Sequence, residues 1–239
     1  MKQSTIQKLL TLNQDLYNSQ SVDWDKSRQQ IWEHSIIDFA TQIPSYSTIL
    51  DVGCGNARLY QFLQDKTINY TGIDDSKKLI DLCRQKYPKA NFINNNALDI
   101  SYNNQFDYVF SIAVLHHIPS ADLQVKFLKN IFNSLKTNGK LFLTVWNRHQ
   151  DKYKKYFDKN NHIYSLLDSA TIADLSVNDL LVPWRDTNNA RYIYAYTSEE
   201  LKKQAEITGF KNINVSYSTK QNTNSNIDNG LFIVLQAQK

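Results

Sequence analysis

At 239 residues, with 41% hydrophobic and 21% charged side chains, the chain has ordinary globular composition and length for one substantial buried core, which excludes an intrinsically disordered protein. A formal charge of +4 is too small to argue for nucleic acid by itself, and no apolar run approaches the ~18 residues of a bilayer span. Cys54 and Cys83 fall on different predicted elements and form neither a disulfide framework nor a metal set, so a soluble, cytoplasmic protein is expected.

The opening MKQSTIQKLLTLNQ lacks the unbroken apolar stretch of a signal peptide. Ile6, Leu9, Leu10, Leu16 and Tyr17 recur at helical spacing with Ser4 or Thr5 as the expected cap, and Ile31, Trp32, Ser35, Ile36 and Phe39 predict a second helix before Pro44. Thr48 to Val52 reads as a first strand and Leu59, Tyr60, Phe62 and Leu63 as the helix after it. Tyr70 to Ile73 is the second strand, Ser76 a cap, and Leu79, Ile80, Leu82 and Cys83 the buried stripe of the next helix. Phe92 and Ile93 mark a third strand, and Phe106 to Val114 a central one buried on both faces. Asp122 is expected to open a helix running through Phe127, Leu128, Ile131 and Leu135, with Gly139 turning the chain into a fifth strand, Leu141 to Val145. Five alternations imply a parallel sheet covered by helices.

Residues 148 to about 195 break this rhythm and read as an insertion. It opens on Arg148, Lys152, Lys154, Lys155 and Lys159, against Asp151 and Asp158, interleaved with Tyr153, Tyr156 and Phe157. Such a segment can follow an RNA backbone, or be only a solvated face. Order resumes with a helix from Ser198 to about Thr208, stopped by Gly209, and two strands near Ile213 to Tyr217 and Leu231 to Gln236, a hairpin around the polar loop Ser218 to Asn229.

The segment Asp51-Val52-Gly53-Cys54-Gly55-Asn56 puts two glycines where the backbone turns sharply and lies against a ligand. Asp74 follows Gly55 by 19 residues and closes the second strand, from which a carboxylate accepts hydrogen bonds from both hydroxyls of a ribose. Arg58 stands where a dinucleotide fingerprint has its third glycine, which favours a nucleoside cofactor without phosphate, such as S-adenosylmethionine. His116-His117 resembles a metal pair, but adjacent side chains diverge and no cysteine or carboxylate cluster accompanies them. His116 is expected to face the ligand pocket at the end of the fourth strand, with a purely structural role the alternative.

ILDVGCGNARL, YTGIDDS, NNALDI and FDYVFSIAVLHHI resemble the successive motifs of class I methyltransferases over about residues 30 to 150. The resemblance implies an α/β fold: a Rossmann-like seven-stranded methyltransferase sheet with helices on both faces, an inserted cap (148–195) after the fifth strand and an N-terminal helical segment (1–45), all in one domain. It implies S-adenosylmethionine as methyl donor, with Gly53, Cys54 and Gly55 bordering its methionine part, Asp74 its ribose, Asp75 its adenine face, and Asn96 with Ala97 the adenine edge. Asn96 replaces the usual Asp; its carbonyl accepts more weakly. Asp51, Ser76, Ser111 and Ala113 complete the cofactor set.

SIAVLHHI, Asp179-Leu180-Leu181-Val182-Pro183-Trp184 and Arg191-Tyr192-Ile193-Tyr194-Ala195-Tyr196, with Tyr17, Ser27, Arg28 and Trp32, are similar to the tRNA wobble-uridine carboxymethyl methyltransferases. That resemblance implies esterification of a carboxylate on carbon-5 of a uridine in a tRNA anticodon loop, some relatives working with a small activating protein. A carboxylate needs no general base, so the catalytic task is its orientation, for which Arg191, Arg185 and Arg28 are the ordered candidates beside His116. Trp184, Tyr192 and Tyr194 could stack on a splayed base or pack the insertion on the core. A small-molecule methyltransferase and a non-catalytic binding module are the competing expectations.

Overall fold

The computed structural model describes residues 1–27, 34–184, 188–218 and 232–239. Arg28, Ile31, Trp32, Arg185 and nearly all of the predicted loop from Ser218 to Asn229 lie outside them. Helices α1 (Gln3–Ser19), α2 (Ser21–Lys26) and α3 (His34–Thr41) precede β1 (Thr48–Val52) and α4 (Arg58–Leu63). Then come β2 (Asn69–Asp74), α5 (Lys77–Lys86), β3 (Asn91–Asn94), β4 (Phe106–Ile112), α6 (Ala121–Ser134) and β5 (Leu135–Trp146). The segment before α8 (Ser198–Thr208) carries α7 (Ser169–Ala173), β6 (Asp179–Pro183) and β7 (Ala190–Tyr194), and β8 (Lys211–Tyr217) and β9 (Phe232–Gln238) end the fold.

Seven strands form one sheet in the order β3-β2-β1-β4-β5-β9-β8. Neighbouring strands are parallel through β5, and β9 runs antiparallel to both β5 and β8. Adjacent residues of the central strands serve opposite faces, since side chains alternate along a strand. Leu50, Val109, Leu141 and Leu143 pack with Phe127, Leu128 and Ile131 of α6 and Leu201 and Ala205 of α8. On the other face Ile49, Phe110 and Phe142 meet Ile36 and Ala40 of α3, Leu63 of α4 and Ile80 of α5. Both faces are therefore dry, and a ligand finds room only at the carboxyl ends of the strands, where the order reverses between β1 and β4.

Several local expectations change. α1 starts at Gln3 without a side-chain cap, and Thr5 is buried inside it rather than capping it. α6 is capped by Ser120, whose hydroxyl accepts from the Leu123 N–H, and Asp122 sits in the first turn. Leu135 begins β5 instead of ending a helix, because the chain leaves α6 directly into a bulged pairing: Phe106 faces Leu135 while Tyr108 faces Lys140. Gly139 lies in that bulge, where an added Cβ would stand 2.8 Å from the Lys136 carbonyl oxygen. Ser76 capping α5 and Gly209 ending α8 with φ +108° are as expected.

The insertion is more ordered than its broken rhythm implies. β6 and β7 pair antiparallel as a separate two-stranded sheet, with Leu181 opposite Tyr192 and Val182 opposite Arg191. Ile6, Leu9, Asn13 and Leu16 are buried along one stripe of α1, and Leu9 packs with Leu181 and Tyr192 of this sheet. Asn13 fastens the contact, its carbonyl accepting from Tyr192 N at 2.8 Å and its amide donating to Tyr192 O at 3.1 Å. Among the described residues no helix is long and apolar enough to cross a membrane.

Candidate active site

The strand ends open into one cavity of about 860 Å³. Its first wall is the turn after β1. Gly53 N and Cys54 N both donate to the Ile73 carbonyl, at 2.7 and 2.9 Å, which pins the turn to β2. Gly53 has φ +77°, and a Cβ there would come within 2.2 Å of Val114 Cγ2. This glycine is thus required by the protein's own packing before any ligand arrives. Gly55 also takes a positive φ, of 55°. Its N–H donates to Asp74 Oδ2 at 2.9 Å while Ser76 N–H donates to Oδ1 at 2.9 Å, so both carboxylate oxygens are oriented and each keeps acceptor capacity.

Gly53, Cys54, Gly55, Asp74, Asp75, Asn96, Ala97 and Ala113 all line the cavity. Burial raises Asp74 to about 7, helped by the charge of Asp75 and opposed by the two N–H donors. Burial also raises Asp75. The Asn96 carbonyl accepts from Leu98 N at 2.8 Å, which orients it and uses one of its two lone pairs.

Four expected residues stand behind the wall. Asp51 is buried, raised to about 7 chiefly by desolvation, and accepts from the Tyr70 hydroxyl at 2.7 Å. The Ser76 hydroxyl donates to Asn18 Oδ1 at 2.9 Å, tying the end of α1 to the cap of α5. Ser111 is fully buried with no hydrogen bond to its hydroxyl. His116 is fully buried as well, stacked near Trp146 at a centroid distance of 4.6 Å, its Nδ1 accepting weakly from Trp146 N at 3.4 Å. The expectation that His116 faces the pocket is corrected: Leu115–His117 forms a 3-10 turn, each residue rotates about 120°, and His117 is the histidine on the wall.

His117 is held on both sides. Nδ1 lies 3.0 Å from the Tyr192 carbonyl, to which it must donate, so Nε2 is the acceptor for the Tyr17 hydroxyl at 2.9 Å. Burial, with the nearby charges of Arg191 and Arg148, drives its pKa down to about 3. The imidazole is therefore neutral at physiological pH and a feeble base.

Arg191, the first candidate for orienting an anion, does line the cavity, and the structure adds Arg148 and Trp146 from the end of β5. Both guanidinium carbons lie against the indole of Trp146, at 4.2 Å for Arg148 and 4.3 Å for Arg191. Tyr153 covers Arg148 from the insertion at 4.1 Å. Tyr192 is fully buried with its hydroxyl on Asp179 at 2.6 Å, and Trp184 is buried with its ring edge-on to Tyr17, so packing describes them. Tyr194 is half-buried against Glu200. The aromatic wall comes instead from Trp146, Tyr153 and Tyr17.

A family model described as a methyltransferase domain matches residues 24–215. The chain belongs to the methyltransferase-domain family. Among curated relatives, a tRNA (carboxymethyluridine(34)-5-O)-methyltransferase from Macaca fascicularis is 30% identical over 61% of this chain and 22% of its own length. One of the same description from Saccharomyces cerevisiae is 25% identical over 71% of this chain and 54% of its own. The chain therefore spans between about a fifth and a half of these relatives. The crystal structure of an S-adenosylmethionine-dependent methyltransferase from Methanosarcina mazei shares the fold with a TM-score of 0.66 at 22% identity, covering 84% of this chain and 96% of that one.

Proposed function

We propose that this methyltransferase domain esterifies a carboxylate on a modified uridine at the wobble position of tRNA, using S-adenosylmethionine. The cavity fits such a donor. Asp74 is buried, preset by two backbone N–H groups, and lies on the wall where ribose hydroxyls can donate to its remaining lone pairs. Asp75, Asn96 and Ala97 form the adenine side, and the bent main chain at 53–55 leaves space for the methionine arm. When bound, the donor supplies an electrophilic methyl on a sulfonium, which leaves as the neutral thioether of S-adenosylhomocysteine.

The observation that carries the acceptor class is the weakness of the nearest base. An alcohol, amine or ring nitrogen acceptor that must lose a proton needs a base near neutrality. His117, held at about 3 with its Nδ1–H committed to a carbonyl, does not provide one. The two carboxyls that titrate near neutrality stand elsewhere: Asp51 on β1, behind the wall with its oxygen on the Tyr70 hydroxyl, and Asp74 at the end of β2, two and three strand spacings or about 10 and 14 Å from β5. A carboxylate is already a nucleophile at pH 7, so the chain's task reduces to aligning one of its oxygens, with Arg191 on the cavity wall as an orienting group. The relatives named for carboxymethyluridine support the same acceptor. In this reading α1 and the segment 148–195 form the cap over the acceptor, and Lys152, Lys154 and Lys155, on the turn whose Tyr153 reaches the cavity, approach the RNA backbone.

The test is nucleoside mass spectrometry after incubating the protein with labelled S-adenosylmethionine and tRNA that carries 5-carboxymethyluridine. A labelled methyl ester is expected. Label appearing only in small molecules of a cell extract, with tRNA unmarked, would transfer the assignment to a small-molecule methyltransferase. Absence of S-adenosylhomocysteine binding would leave a non-catalytic module.

A further inference from the structure

Arg148 is a guanidinium whose residue is 4% exposed. It forms no ion pair with any carboxylate among the described residues. Its Nε has no hydrogen-bond partner, and neither does the Nε of Arg191. Buried cations are ordinarily paired, and hydrogen-bond donors kept from water ordinarily find acceptors. Two like charges against one indole, each with an idle donor and both on the wall of the same cavity, thus form half of an interaction.

From these contacts we infer that Arg148 and Arg191 form a two-armed site for the acceptor's carboxylate, with Trp146 as the wedge that holds the arms apart. The inference rests on the methyl-transfer reading above and names the residues that select its substrate. Since both guanidinium carbons lie just over 4 Å from the Trp146 ring centre, they are at most about twice that distance from each other. A single carboxylate can therefore accept from both, one oxygen to each, and planar guanidinium donors suit that geometry. Trp146 and Tyr153 lie against Arg148, which also hydrogen-bonds Tyr153, and Trp146 and Trp184 lie against Arg191; both arginines line the cavity, each with an Nε that has no partner.

The donor also carries a carboxylate, on its methionine arm. Position in the sheet argues against that occupant. Trp146 ends β5 and Arg148 follows it, and Arg191 belongs to β7 of the insertion, whereas the turn at 53–55 follows β1 and has buried Arg58 beside it on the same cavity. The arms belong to the acceptor half. They also explain turnover in one direction: esterification removes the charge that both arms recognise, so the product is held less firmly than the acid.

The experiment uses the whole chain and an anticodon stem-loop RNA carrying either 5-carboxymethyluridine or the neutral 5-carbamoylmethyluridine. With S-adenosylhomocysteine saturating, the wild type should bind the acid at least about tenfold more tightly than the amide. Arg148→Gln and Arg191→Gln should reduce that ratio to about threefold or less, and lower kcat/KM for methyl transfer at least about tenfold. Arg148→Lys should recover part of the preference, which a purely structural role would not produce. S-adenosylhomocysteine affinity should stay within about threefold in each variant. An undiminished acid preference in R148Q overturns the two-armed site and leaves the methyl-transfer reading intact. Loss of S-adenosylhomocysteine binding in R148Q assigns the arms to the donor and likewise overturns it. A wild type that binds S-adenosylhomocysteine yet never methylates the acid refutes the acceptor reading and this site with it.

Discussion

Substituting Gly53 separates the demands of packing from those of ligand binding. In Gly53→Ala the new methyl would meet Val114 Cγ2 at 2.2 Å on a backbone held at φ +77°. The left-handed conformation costs about 1–2 kcal/mol for a residue with a Cβ, and relieving the overlap about 1–3 kcal/mol more. A domain of this size loses about 2–4 °C of melting temperature per kcal/mol, so a fall of roughly 4–20 °C is expected by thermal unfolding. Val114→Ala removes the colliding group. The double variant should therefore recover the overlap, a coupling of about 1–3 kcal/mol in the cycle, and retain the conformational part. The turn also carries the Gly55 N–H that orients Asp74, so S-adenosylhomocysteine affinity should drop in the single variant and return partly in the double. Strict additivity of the two substitutions would refute the reasoning, because the contact would then not set the need for glycine.

Asp74→Asn exchanges an oxygen for an NH2 that must face either the Gly55 or the Ser76 N–H, and titration calorimetry should show S-adenosylhomocysteine bound about 10–100-fold more weakly; a loss below threefold would count against the ribose role. Hydroxyls donating to Asp74 favour its ionised form, so binding lowers the pKa that burial has raised to about 7. Affinity should be flat above pH 7 and fall as pH drops below it, with proton release on binding near pH 6.5; constant affinity from pH 5.5 to 8 contradicts this. Thr197→Ala breaks a reciprocal capping box with Glu200 on α8 and should remove about 1 kcal/mol of stability without changing kcat/KM. Binding of tRNA should weaken steeply from low to moderate salt and less steeply once Lys152 and Lys155 are both Gln; an equal slope excludes those lysines from phosphate contact.

The parts legible from the sequence are those in which one local rule decides the outcome. Gly53, Gly55 and Asp74 were readable because strand, turn and strand end lie at a spacing that a parallel sheet imposes, and the structure brings all three to one cavity. The β6–β7 pair was not, since Pro183 suppresses a strand reading and the partner strand begins seven residues later at Ala190. It packs on Leu9 of α1 and on Ile163, Tyr164 and Leu167 of the insertion, and Asn13, more than 150 residues away, binds the Tyr192 backbone. The identity of the cavity-lining histidine turned on a three-residue 3-10 turn, where a rotation of about 120° exchanges His116 for His117. Arg148 read as one cation among several in a basic segment. Only the fold shows that it points inward while Lys152, Lys154 and Lys155 stay in solvent.

Keeping Arg148 charged in the interior weakens the ligand-free protein, and that is measurable. Burial lowers its pKa to about 10 from 12.5, with Arg191 adding repulsion and Tyr153 opposing it. A cation with a depressed folded pKa destabilises the folded state throughout the range below that pKa, by about 3 kcal/mol at pH 7 on the scale of 1.36 kcal/mol per unit. The penalty is relieved only as pH rises through about 10. Arg148→Met keeps an unbranched chain against Trp146 and Tyr153 while deleting the charge, and forfeits about 1–2 kcal/mol of cation–π attraction. The net expectation is a gain of about 1 kcal/mol, seen as a melting temperature roughly 2–4 °C above wild type at pH 7, together with at least a tenfold loss of methyl transfer to the carboxylate acceptor. The thermal advantage should hold at every pH below about 10 and only begin to shrink above it, because the unfolded chain keeps its guanidinium protonated to about 12.5. A variant that melts lower than wild type at pH 7 while binding S-adenosylhomocysteine normally would show that the cation is compensated within the protein, and would remove the physical reason for it to await an anionic substrate.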